Sequence, residues 1–139
     1  MGDELTSFKE FMKRREEAAK AYVNGDAEPL AEIATLNSPA SFFSPKGDHV
    51  EGAAEVLAVY KKDAGAFDSG SETHFEILQM EAAGSLAFWA GFQKASMRMK
   101  GKEEAVPMNI RVTEIFRREN GEWKMIHRHA DMPPEKVNS

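Results

Sequence analysis

The hydrophobic period of this chain, helical up to residue 70 but for one short hairpin-like stretch, becomes that of strands beyond it, and that change limits its possible folds more than any other feature. Before it, apolar residues recur every three or four positions; after it, runs rich in β-branched and aromatic residues alternate with short glycine-containing breaks. Leu5, Phe8, Phe11, Met12, Ala19, Tyr22 and Val23 share one helical face through a stretch free of Gly and Pro, which predicts a long amphipathic helix over 4–23. Asn24-Gly25 ends it, with Gly25 able to take the left-handed C′ conformation. Asp26 can then cap a second helix whose inner residues are Leu30, Ile33 and Ala34 and whose first turn tolerates Pro29. A strand over 40–44, the turn Pro45-Lys46-Gly47 and a second strand through Val50 read as a small hairpin. Val56, Leu57, Tyr60, Ala64 and Phe67 then restore helical spacing over 53–67.

Strand-like runs follow at 73–80, 86–99, 106–118 and 123–130, separated by Ala83-Gly84, Gly101-Lys102 and Asn120-Gly121. Helices first and a meander afterwards is an α+β layout: three N-terminal helices packed on one face of a curved antiparallel sheet. The 139 residues leave room for a single domain, 1–139, with 132–139 expected as a flexible tail.

Charge narrows the function. Eighteen basic against 23 acidic residues give a net charge of −5, which repels polyphosphates at long range. The one basic run, Lys13-Arg14-Arg15, is followed by Glu16-Glu17, a pattern read as ion pairing along a helix surface. No nucleic-acid partner is expected. Nor is a membrane partner, because nowhere do 18 apolar residues run together and the N-terminus has no apolar core of a leader. The absence of cysteine removes disulfides and thiolate chemistry and fits a cytoplasmic protein. Without a phosphate-binding glycine motif or a nucleophile elbow, no cofactor and no serine hydrolysis are indicated.

Asn120-Gly121 sets a register. Both residues tolerate the positive φ of a type I′ turn, so Glu119 pairs with Glu122, and counting outward brings Phe116 opposite Met125, Glu114 opposite His127 and Val112 opposite His129. One face then carries Val112, Glu114, Phe116, Trp123, Met125, His127 and His129. The other carries Arg111, Thr113, Ile115, Arg117, Lys124, Ile126, Arg128 and Ala130, which suits solvent or a second subunit. In this register Glu114 and His127 are neighbours under the helices. They form either a general acid/base pair or a polar pair that satisfies itself in the core. His127, His129 and Asp131 align at strand spacing, but all three come from one strand, and no metal is expected.

The stretch from Arg111 through Asn120-Gly121-Glu122-Trp123 to His127-Arg128-His129-Ala130-Asp131 resembles the last two strands of SnoaL-like and ketosteroid-isomerase-like proteins of the NTF2-like superfamily. It is similar as well to the association domain of calcium/calmodulin-dependent protein kinase II. The long first helix ending at Asn24-Gly25-Asp26, the hairpin Phe42-Phe43-Ser44-Pro45-Lys46-Gly47 and the Val50-x-Gly52 entry to helix three extend the likeness over nearly the whole chain. The resemblance implies a cone-shaped pocket, with His129, Trp89, Phe43, Phe116 and Met125 as candidate lining, a small hydrophobic or anionic ligand, and a homodimer. Position by position it argues against steroid isomerisation. The catalytic aspartate of that family falls at Ser44, its tyrosine at Ala18 and its neutral acid at Glu114. The arginine that the kinase domain places on this strand falls at Glu114 too. Two functions follow: a pocket protein with acid/base chemistry through Glu114 and His127 (isomerase, cyclase or dehydratase), or a non-catalytic binding or assembly domain.

Overall fold

A computed structural model describes residues 3–133. Helix α1 spans Asp3–Val23, α2 Glu28–Ile33 and α3 Ala53–Ala64; the strands are β1 Ser41–Phe43, β2 His49–Glu51, β3 Glu72–Ala83, β4 Leu86–Met97, β5 Val106–Glu119 and β6 Glu122–Asp131. The expected flexible tail lies, from residue 134 onward, outside the described residues. Helix α1 ends at Asn24-Gly25 as its sequence predicts: the Gly25 N–H reaches the Tyr22 carbonyl and the Asp26 N–H reaches Ala21. Asp26 lies one residue before the N-cap position of α2, and its carboxylate accepts the Glu28 N–H at 3.0 Å. Helix α3 stops three residues short of Phe67, which instead bridges to Met99. Among the described residues no helix is long and apolar enough to cross a membrane.

The six strands form one curved, open sheet in the order β2-β1-β6-β5-β4-β3. Strands β3 to β6 make the expected antiparallel meander. The sheet as a whole is mixed, because β1 lies parallel to β6. The reason is the path out of α2: Ala34 bridges Met125 in parallel, and the Thr35 N–H donates to the Met125 carbonyl, so the chain is already running alongside β6 when it reaches β1.

The helices cover the concave face. Phe8 of α1 is fully buried between Phe116 and Trp123, with ring centroids 5.2 and 5.5 Å away. Burial of a side chain of this size stabilises by roughly 1.5–3 kcal/mol. Curvature is helped by a bulge in β3, where Leu78 is the extra residue opposite Gly91. A Cβ at Gly91 would come within 2.1 Å of the Glu76 carbonyl oxygen, so the bulge requires glycine there.

Candidate functional site

The β5–β6 hairpin begins as the sequence predicts. Asn120 and Gly121 have φ of 51° and 82°, and Glu119 pairs with Glu122 and Phe116 with Met125. One residue later the register shifts. Ile126 is the extra residue of a bulge, so Ile115 faces His127, Glu114 faces Arg128, and Thr113 faces His129. The expected Glu114–His127 pair is therefore overturned, as is the placing of Arg128 and Ala130 on the outer face. The shift sits where Met125 has its carbonyl occupied by Thr35, and beyond it every β6 side chain changes face.

Arg128 meets Glu114 in the interior together with a residue the sequence pattern had assigned to the surface, Arg15. The Glu114 side chain is fully buried. Arg15 Nε donates to Glu114 Oε1 at 2.9 Å and Nη2 to Oε2 at 2.7 Å, a two-point fork. Arg128 Nη1 donates to the same Oε2, and Trp89 Nε1 donates to Oε1 at 2.8 Å. Behind them a relay fixes Arg128: Nη2 donates to Gln93 Oε1 at 2.8 Å, and Gln93 Nε2 donates to Thr73 Oγ1 at 3.1 Å. The Phe75 ring stacks on Trp89 with centroids 4.6 Å apart, and the Arg15 guanidinium lies 5.3 Å from its centre.

These contacts decide the charge state. Burial alone would raise the pKa of Glu114, but the two guanidiniums outweigh it and bring it down to about 2. Burial acts to lower that of Arg15, and the Glu114 carboxylate more than reverses this. The cluster therefore holds two positive charges against one negative. Arg15 Nη1 is buried with no hydrogen-bond partner. Tyr60, 3% exposed, stands within electrostatic reach of Arg128, Glu114 and Arg15, and burial pushes its pKa well above the usual range, as it does that of half-buried Tyr22. Both hydroxyls stay protonated through neutral pH. Half-buried Asp63 acts on Tyr22 from α3.

Among the other sequence candidates, Trp89, Phe116 and Met125 are interior, whereas Phe43 and His129 lie on the outer face with His127. There the Phe43 ring meets the imidazoles of His127 and His129 edge-on at 4.9 and 5.3 Å, and His127 Nδ1 is 2.7 Å from Ser41 Oγ. His127 has its pKa lowered by burial and by His129. Among the described residues no three His, Asp or Glu side chains converge as a metal site. Two open concavities, of 530 and 420 Å³, lie beside the loop from Met99 to Val106 and between Arg14, Glu32, Leu36 and the Asn120 turn; neither reaches the Arg15–Glu114–Arg128 cluster.

A SnoaL-like domain profile matches residues 13–135. No curated protein matches the chain by sequence. Several solved structures share its fold. A candidate dehydratase of the NTF2-like family from Streptomyces avermitilis superposes with a TM-score of 0.70 at 20% identity, over 94% of this chain and 96% of the other. An NTF2-like superfamily protein from Salmonella enterica serovar Typhimurium gives 0.79 at 14% identity, over 98% and 95%. The association domain of Caenorhabditis elegans CaMKII gives 0.70 at 14% identity, over 95% and 100%. At these identities the likeness is one of fold.

Proposed function

Because this chain belongs to the SnoaL-like family, we propose that it is a small-molecule pocket protein whose interior recognises one negatively charged group, a carboxylate in the first instance. The observation that carries this reading is Arg15 Nη1, an unpartnered charged donor in a buried cluster with an excess positive charge. A buried guanidinium N–H without an acceptor is costly, and a ligand anion removes that cost. Tyr60 and Tyr22 supply neutral hydroxyls within electrostatic reach of Arg15, and Trp89 and Phe75 an aromatic wall. Glu114 positions the two guanidiniums; held near pKa 2, it is a poor proton carrier at neutral pH. Acid/base catalysis through Glu114 and His127 loses its support with their separation onto opposite faces. A ligand reaches the closed cluster through local opening of the fold.

Thermal melts with millimolar acetate, benzoate and longer monocarboxylates test the proposal. A carboxylate present at 100 times its Kd adds about 2.7 kcal/mol of stability. The expected result is a rise in Tm for the wild type, undiminished in 0.3 M salt, smaller for Tyr60→Phe and absent for Arg15→Lys. An equal rise in all three proteins, or none with any carboxylate, overturns it.

We further infer that the protein is a homodimer. The outer face supports this: Phe88, Ala90, Phe92 and Ile115 form an apolar centre that, among the described residues, no element covers, since the helices lie on the other side.

A further inference from the structure

The dipeptide Asn-Gly occurs twice in the chain, at Asn24-Gly25 and Asn120-Gly121, and both copies stand in turns. Such a pair can react with itself: the glycine amide nitrogen attacks the asparagine side-chain carbonyl, and a glycine has no Cβ to obstruct the approach. The fold treats the two copies in opposite ways. At Asn24 both reacting groups are occupied. Nδ2 donates to the Lys20 carbonyl at 2.8 Å and to the Ser71 carbonyl at 3.1 Å, and Oδ1 accepts the Ser71 N–H at 3.0 Å. The nucleophile is engaged as well, since the Gly25 N–H donates to the Tyr22 carbonyl at 3.0 Å. A Cβ at Gly25 would lie 2.9 Å from the Phe67 carbonyl oxygen, so this turn is also packed against the loop that follows α3.

Asn120 and Gly121 are exposed at the tip of the β5–β6 hairpin. Among the described residues, neither the Asn120 side chain nor the Gly121 N–H has a hydrogen-bond partner. A Cβ at Gly121 would meet nothing within 4 Å. Ring closure asks for rotation about the Asn120 backbone, and fraying of the hairpin tip supplies it without disturbing the core.

We propose that Asn120 is a site of spontaneous deamidation in the folded protein, with water as the only co-reactant, and that the same dipeptide at Asn24 is protected by its hydrogen bonds. The Gly121 nitrogen bonds to Asn120 Cγ, the Cγ–Nδ2 bond breaks, and Nδ2 leaves as ammonia with the proton that the glycine nitrogen gives up. Water then opens the cyclic imide. Attack at Cγ gives aspartate, and attack at the backbone carbonyl gives isoaspartate. Isoaspartate routes the main chain through Cβ and sets a new carboxylate between Glu119 and Glu122. A two-residue type I′ turn does not accommodate the extra backbone atom, so the Glu119–Glu122 pair opens. The Thr35 N–H on the Met125 carbonyl still holds the rest of β6, and Arg128 stays on Glu114.

Trypsin separates the two sites, into residues 119–124 and 21–46. Folded protein is held at pH 8.5 and 37 °C beside a sample in guanidinium chloride, and the two peptides are followed by mass spectrometry. In guanidinium chloride both sites should convert at similar rates. In the folded protein Asn24 should be slower than Asn120 by roughly tenfold or more, because several hydrogen bonds must be given up first. Equal rates at the two sites in the folded protein overturn the proposal, as does an unchanged Asn120 while the denatured sample converts. An Asn120 that stays intact in both samples overturns it too. The Asn120→Asp variant carries the added charge on an ordinary backbone, so the isoaspartyl form should melt below it; equal melting would show that the turn survives the longer chain.

Discussion

Glu114 accepts four hydrogen bonds in the core, and its two guanidinium partners are held there by nothing else as strong. Removing one partner of a buried ion pair leaves an uncompensated charge, at a cost of roughly 3–5 kcal/mol. Glu114→Gln should therefore destabilise about as much as Glu114→Ala, because an amide oxygen does not balance two positive charges. Acid should act on the same group. The folded pKa of about 2 lies below the ordinary 4.5, so the stability Glu114 contributes is complete above pH 4.5 and is lost as pH falls from there toward 2. Urea melts at pH 7, 4 and 2.5 should show that loss in the wild type and a flatter acid limb in Glu114→Gln; parallel profiles would show that the carboxylate is not held ionised by its neighbours. Arg15 was legible in principle. It lies seven residues after Phe8 and seven before Tyr22, inside the apolar stripe of α1, and only the adjacent Arg14, Glu16 and Glu17 made it look like a surface charge.

Strand β6 carries two functions along its length, and a single extra residue separates them. Up to Met125 its alternate side chains fill the core under α1; after Ile126 the alternation restarts in the opposite phase, turning Arg128 inward and His127 and His129 outward. His127→Ala should then cost less than about 1 kcal/mol, since a half-exposed ring and one hydrogen bond to Ser41 are lost. Arg128→Ala removes a partner of the buried carboxylate and should cost about 3 kcal/mol or more. Denaturant unfolding of the two variants distinguishes the registers, because the unbulged pairing reverses this order. The type and position of the turn were readable from Asn120-Gly121; the bulge was not, because Met125-Ile126 are both apolar and suit either face. What breaks the tie is a backbone contact from residue 35, ninety positions away along the chain.

For the molecule as a whole, self-association should appear as a Tm that rises with protein concentration, since a dimer is stabilised by mass action. Melts between 1 and 100 μM should show it, and a constant Tm across that range would argue for a monomer. Sequence alone determined the α+β class, the helices' amphipathic faces, the ends of α1 and the closing hairpin. Each of these is written in local period and turn chemistry that a chain carries with it wherever it folds. Tertiary structure decided that β1 runs parallel to β6, that β6 is bulged, and that Arg15 and Arg128 meet on Glu114. Those outcomes depend on which segments compete for one carbonyl and on how three charges, separated by 99 and 14 residues, are balanced once water is gone.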